Sequence, residues 1–352
     1  MAPIMFSLEK RGIRYHLLDL SQHGGLTDNI LQVFRLKPVV SKFSNIDRPL
    51  DSYKDIFVWL FSVGIHVITW WKIKKTLFLD KEGIALVHGD TLSTLVGLVL
   101  AKLAGMRLGL VEAGLRSGKL LEPFPEELIR RIVEKGADIL FIPGSDIATK
   151  IMNYKDGKRI IDTHYNTGND AVRLIRDLYT IKGESENSSY NVVTLHRYET
   201  ISSKKHLEKA IKYIIELASS IGPCTFVLHP PTKKFLLKFG LMHLLEESED
   251  IIITDLLPYH EFIKMLIGCK YIVTDGGSIQ EEATFLQKPC IVLRNRTERI
   301  DGLGVNIALT TWDAKRDSVF LASRKHCAED SKAENHNLAT NIIIENILKY
   351  RE

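Results

Sequence analysis

The sequence predicts an α/β protein made of two doubly wound parallel-sheet domains. Three observations carry that expectation. Short apolar runs recur at wide intervals, among them residues 84–87 (IALV), 191–195 (NVVTL) and 290–293 (CIVL). They lack polar alternation, as strands buried on both faces do. Segments of helical spacing lie between them, so strand and helix alternate, the pattern of a parallel sheet covered on both sides. The polar stretch 182–189 (KGESENSS) interrupts the alternation once, and it restarts afterwards.

The first half reads in order as a strand over 13–20, a helix over 27–34, a strong apolar segment over 56–71 and a strand over 84–87. A helix over 92–103, a strand over 107–111, a helix over 125–135, a strand over 139–142 and a helix over 145–152 follow. The second half reads as strands at 191–195, 225–228 and 251–253, with helices over 204–219 and 259–267. Residues 271–293 form the clearest unit: strand, Asp275-Gly276-Gly277-Ser278, a helix over 279–287 with acids in its first turn, then a strand. Ser278 is the expected helix cap. A helix over 337–351 ends the chain. The domains are therefore expected at 1–182 and 190–325, both Rossmann-like, facing a central cleft at the carboxyl ends of their strands. The helix within 333–352 is expected to pack back on the first domain.

Composition narrows the function. A chain of 352 residues with 45% hydrophobic and 26% charged residues is long enough for two cores. The net charge of +4 is small and dispersed, which favours an anionic small ligand over a nucleic-acid track. Cys224, Cys269, Cys290 and Cys327 form no CxxC pair, so reduced structural thiols in the cytoplasm are expected, with no zinc site. Residues 56–71 (IFVWLFSVGIHVITWW) are shorter than the ~20 residues of a membrane span. His66 interrupts them, and the expectation is a helix buried under the sheet.

Polar residues gather where strands end. Asp90 and Glu112 each follow a strand, and Glu126 and Glu127 open a helix, with Arg130 four residues past Glu126 on a shared face. In the second half His196-Arg197 and His229 follow strands. Each alone has an ordinary structural use as a cap, a helix-dipole partner or a core histidine. Together, three carboxylates, a histidine and the arginines after the 290–293 strand form the kind of constellation an active site uses. The turn at 275–278 points backbone N–H groups and a helix dipole above the sheet, a ready phosphate site. No P-loop, metal triad or G-x-S-x-G spacing is present.

The stretches HGDTLST, VEAGLRSG, PFPEELIRR, NTGN, TLHRYET, DGGSIQEEA and RNRTER occur in that order. Through them the chain resembles the UDP-N-acetylglucosamine 2-epimerases of the GT-B fold, the non-hydrolysing type, over essentially its whole length. The resemblance implies inversion at C2 of UDP-GlcNAc through elimination of UDP to 2-acetamidoglucal and re-addition, without metal or cofactor. It implies Asp90, Glu112 and Glu126 as acid/base residues and His196 near the departing UDP. Gly276, Gly277, Ser278 and Arg299 would hold the diphosphate and Glu282 the ribose hydroxyls. The uracil would lie near the 259–262 segment, which includes Phe262. Arg130, His229 and Gln22 join the expected substrate-binding set, and a homodimer is expected. The family order Asp-Ser-Gly-Gly is here Asp275-Gly276-Gly277-Ser278. A family strand and its Gly-Thr-Arg-Pro-Glu loop would precede Met1, so a start site internal to a longer chain is expected. Three other readings share these motifs: a hydrolysing epimerase, a GT-B glycosyltransferase and a UDP-sugar-binding remnant.

Overall fold

The computed structural model describes residues 1–20, 26–42, 58–59, 61–62, 64–65, 83–116, 125–148, 157–179, 190–297, 299, 301–324 and 338–350. The chain divides into two compact units, Met1–Leu174 with Asn337–Glu352, and Ile175–His336.

The first unit opens with a helix that the sequence reading did not assign, α1 (Ala2–Lys10), with Pro3 in its first turn, where a missing N–H costs nothing. Strand β1 (His16–Asp19), helix α2 (Leu26–Val33) and strand β2 (Val39–Lys42) follow, and β1 pairs with β2 in parallel. Residues 56–71 fall mostly outside the described residues. Trp59 is fully buried and its Nε1 donates to the Leu20 carbonyl at 2.8 Å, whereas Val58, Phe61 and Ile65 are exposed. The expectation of a helix buried under the sheet over 56–71 thus lies largely outside the described residues.

A four-stranded parallel sheet then forms in the order β3 (Ile84–His88), β4 (Arg107–Val111), β5 (Ile139–Ile142) and β6 (Arg159–Asp162). Helix α3 (Leu92–Ala104) joins β3 to β4. It starts at Thr91, whose side chain accepts from the Thr94 N–H, and stops at Gly105 in the left-handed region (φ 69°). Helix α4 (Glu126–Gly136) precedes β5, the short α5 (Ser145–Ala148) follows it, and α6 (Thr167–Leu178) follows β6. Leu108, Leu110, Leu140 and Val133 pack one core of this unit, while Ile139 and Phe141 contribute to a second.

The second unit holds a six-stranded, wholly parallel sheet. Its elements are β7 (Asn191–Leu195), α7 (Tyr198–Ile201), α8 (Lys204–Ile221), β8 (Cys224–Leu228), α9 (Pro230–Phe239), α10 (Met242–Glu246), β9 (Ile251–Asp255), α11 (Tyr259–Gly268), β10 (Ile272–Thr274), α12 (Gly277–Phe285), β11 (Cys290–Val292), β12 (Ile307–Leu309) and α13 (Ala314–Ser323). The spatial order is β12-β11-β10-β7-β8-β9. The chain runs outward from β7 to β9, then returns to β10 on the other side of β7. The β7/β10 boundary is thus the point where strand order reverses, the place at which doubly wound sheets bind ligands. Helix α8 presents Leu207, Ile211, Ile214 and Leu217 to the sheet at helical spacing, all buried.

The last helix, α14 (Ala339–Leu348), belongs to the first unit. Ile343 and Ile344 are fully buried in one cluster with Ile4, Val111 and Phe141. Its N-terminus is held by Asp170, whose Oδ2 accepts from the Thr340 N–H at 2.7 Å and the Thr340 hydroxyl at 2.6 Å.

Candidate active site

In the first unit the expected carboxylates stand beyond the carboxyl ends of adjacent strands. His88 at the end of β3 is in register with Val111 at the end of β4. Asp90 follows the first and Glu112 the second. Gly89 bonds back to the Val111 carbonyl, and a Cβ built on it would lie 3.9 Å from Glu112 Oε2. Glu112 has φ 66°, a left-handed backbone that a side chain of this size adopts only under constraint. Its Oε2 lies 3.4 Å from His88 Nε2.

The constraint on Glu112 comes from α4. Glu134 is fully buried and accepts from the Gly114 N–H at 2.7 Å and from Arg116 Nη1 at 2.9 Å. The loop leaving Glu112 is thereby tied down at two points. One turn earlier on the same helix, Arg130 pairs with Asp90 through Nη2 and with the fully buried Glu127 through Nη1 at 2.8 Å. The sequence reading placed Arg130 with Glu126. The structure places it with Glu127, because i,i+3 brings that carboxylate to the inner face. Glu126 sits in the first turn, and its Oε2 is buried without a hydrogen-bond partner.

In the second unit the features cluster at the β7/β10 switch point. Asp275, fully buried after β10, accepts from the backbone N–H groups of His196 (3.0 Å) and Arg197 (3.1 Å) after β7. It thereby joins the two strand ends. The His196 ring stacks on His229 with centroids 4.8 Å apart. Burial pushes both imidazoles down, His229 to about 4, with the neighbouring His196 adding to the effect there. Gly276 has an ordinary φ of −85°, so backbone freedom is not why it is glycine. A Cβ there would come within 2.5 Å of the His196 ring.

Two expectations about this turn need correction. Helix α12 begins at Gly277 with Gly276 as its cap, so Ser278 is an exposed residue of the first turn and caps nothing. The earlier start also moves Glu281 and Glu282 out of the first turn and buries both. Of the expected N–H cradle, Gly276 donates to Thr274 Oγ1 at 3.0 Å. The N–H groups of Gly277 and Ser278, at a helix start, have no partner within the helix.

Glu282 receives a 2.9 Å hydrogen bond from Tyr259 on Oε1, while its Oε2 is buried without a partner. Burial raises its carboxyl to about 7 against the lowering effect of that hydrogen bond. Arg299 pairs with Glu281. Its loop is held by Gln280, whose Nε2 donates to the carbonyls of Arg299 (3.0 Å) and Asp301 (3.2 Å). Phe262, half-buried, lies on α11 with Tyr259. Gln22 lies outside the described residues. Among the described residues no group of three or more His, Cys, Asp or Glu is arranged to hold a metal.

The sequence profile of the UDP-N-acetylglucosamine 2-epimerases matches residues 66–342, well over half the chain. The chain belongs to this family. It is 28% identical to the UDP-N-acetylglucosamine 2-epimerase of Methanocaldococcus jannaschii, covering 90% of this chain and 85% of that one. The Bacillus subtilis UDP-N-acetylglucosamine 2-epimerase is 30% identical, with 86% and 77% covered. The crystal structure of the M. jannaschii enzyme in complex with UDP-GlcNAc and UDP superposes with a TM-score of 0.80 at 27% identity. That match covers 99% of this chain and 95% of the other. As a UDP-N-acetylglucosamine 2-epimerase family member the chain is an isomerase of the GT-B fold. His88, Glu134, Arg116 and Asp275 had no individual role in the sequence reading. Each touches a neighbouring motif residue or its loop, and the signal for them was a place in or beside the quoted motifs.

Proposed function

We propose that the chain inverts C2 of UDP-GlcNAc by the non-hydrolysing route. The observation that carries this reading is the pair of carboxylates, Asp90 and Glu112, beyond adjacent ends of β3 and β4. The C2 proton of the sugar is weakly acidic, so cleavage of the C1–O bond runs ahead and places positive charge on the ring. A carboxylate removes the C2 proton as UDP departs and 2-acetamidoglucal forms. A second acid then returns a proton to the opposite face of C2 as UDP re-adds at C1. Asp90, Glu112 and Glu126 are the groups proposed for these transfers. The second unit is proposed to hold the nucleotide: the start of α12 and Arg299 at the diphosphate, with His196 and His229 kept neutral by burial beside it. Glu282 is proposed at the ribose, and the α11 segment with Phe262 at the base.

The complex of the M. jannaschii enzyme with UDP-GlcNAc and UDP supports a UDP-sugar ligand. Product analysis tests the reading: UDP-ManNAc supports it, whereas free ManNAc with UDP replaces it by the hydrolysing reaction.

A homodimer is part of the proposal. Val99 and Leu103 on α3, and Leu128 and Ile132 on α4, are exposed apolar pairs one turn apart on helices that pack side by side. Sedimentation equilibrium on the chain carrying Leu103→Glu and Ile132→Glu should read a monomer, and an unchanged dimer would remove this face from the account. No helix among the described residues is long and apolar enough to cross a membrane. Cys224, Cys269 and Cys290 are buried, as structural thiols are, and a cytoplasmic setting is part of the proposal.

A further inference from the structure

Glu134 is fully buried on the face of α4 that also carries Ile129 and Val133 into the core. Both its oxygens accept hydrogen bonds, and among the described residues every partner comes from the loop after β4. These are the Gly114 N–H at 2.7 Å and the two Nη groups of Arg116. The same loop is pinned to the sheet, where the Ala113 N–H donates to the Phe141 carbonyl of β5 at 2.9 Å. Glu112 (φ 66°) and Gly114 (φ 90°) are both left-handed, so the backbone turns twice around these anchors. A glutamate in that region relaxes to an ordinary conformation unless its neighbours are held. A buried ion pair is a poor device for stability, since apolar residues of similar volume often serve as well or better. Its place beside core residues therefore calls for another use.

We propose that Glu134, through Arg116 and the Gly114 N–H, is a positioning residue for the reaction, holding the loop after β4 in the conformation that presents the Glu112 carboxylate to C2 of the sugar. This rests on the reading that Glu112 is one of the acid/base groups. Glu134 is assigned no contact with substrate. Its carboxylate and the guanidinium meet fork to fork, which fixes direction as well as distance. Loss of the fork frees Glu112 to leave its left-handed conformation, and a displacement of about 1 Å at a reacting group costs about 10²-fold in rate.

The test is steady-state turnover of UDP-GlcNAc by the full chain, its Glu134→Gln and Glu112→Gln variants and the double variant, with folding checked by urea midpoints. Glutamine keeps the shape and accepts from the Gly114 N–H, but it cannot accept from Arg116 on both atoms. Glu134→Gln should lower kcat about 10- to 100-fold and leave KM within about 3-fold. In the Glu112→Gln background the same change should cost under about 3-fold, because no carboxylate remains to be aimed. A loss of equal size in both backgrounds, or full turnover in Glu134→Gln, would overturn the proposal and leave the pair a structural one. Near-full turnover in Glu112→Gln would instead remove Glu112 from the chemistry and sink the reading beneath the proposal. If Glu134→Gln does not fold, Arg116→Lys takes its place, because lysine keeps the charge without the fork. A kcat loss of about 3-fold or more that disappears in the Glu112→Gln background then supports the proposal, and an equal loss in both backgrounds, or none, overturns it.

Discussion

Nε2 of His88 lies 3.4 Å from Oε2 of Glu112, a carboxylate carried on a left-handed backbone (φ 66°). A non-glycine residue in that region is strained, and here Glu134 holds the strain in place through Gly114 and Arg116. The geometry presents Glu112 beyond the sheet at a cost to stability, as a residue kept for chemistry would be.

That cost is measurable. At an ordinary position glycine is less stable than alanine by about 0.5–1 kcal/mol. At Glu112 alanine keeps the strain and glycine relieves it, and both variants lose the His88 contact equally. Urea unfolding should therefore find Glu112→Gly at least as stable as Glu112→Ala. Both, and Glu112→Gln, should lose about 10²-fold or more in turnover. An alanine variant more stable than the glycine variant would show that the backbone is not strained there.

Arg130 is tied to Asp90 and to fully buried Glu127. Removing one partner of a buried ion pair leaves an uncompensated charge, so Arg130→Met should destabilise the chain by about 3–5 kcal/mol in urea unfolding. Adding Glu127→Gln should recover part of the loss. A fully stable Arg130→Met with raised KM would instead make Arg130 a substrate ligand.

The second unit contains two desolvated groups with opposite linkage. His229 is lowered from 6.5 to about 4, so below 6.5 the unfolded chain takes up a proton that the folded chain resists, and stability falls as pH drops. Glu282 is raised from 4.5 to about 7, so the folded chain holds the extra proton and stability falls as pH rises through that window. Between about 4.5 and 6.5 the two slopes oppose each other. Relative to the unaltered chain, His229→Asn should make the stability–pH curve fall more steeply with rising pH. Glu282→Gln should tilt it upward. Urea midpoints across this range check both, and parallel curves for all three proteins would contradict the assignments.

The central strands were legible because parallel strands buried on both faces leave apolar runs such as residues 191–195 and 290–293, whereas β2, β6 and β12, partly exposed and at sheet edges, were not assigned from the sequence. The chemistry of α4 was legible only in part. On that helix Glu127, Arg130 and Glu134 face inward beside Ile129 and Val133, while Leu128 and Ile132 face out. Polar residues that satisfy one another share the buried face with apolar ones, and spacing alone does not show which of Glu126 and Glu127 meets Arg130. Helix α12 starts two residues before its apolar pattern does, because Gly277 and Ser278 contribute nothing to that pattern. Asp275 was visible as a turn residue. Its bonds to His196 and Arg197 join segments nearly eighty residues apart, which only the strand order reveals.

Movement of a proton at C2 of a UDP-sugar by this chain is read by a proton NMR time course with UDP-GlcNAc in D₂O. UDP-ManNAc should accumulate with deuterium at C2, and deuterium should enter C2 of the remaining UDP-GlcNAc as the reaction reverses. Retention of the C2 proton in every UDP-sugar present, with the protein folded and UDP bound, would contradict it.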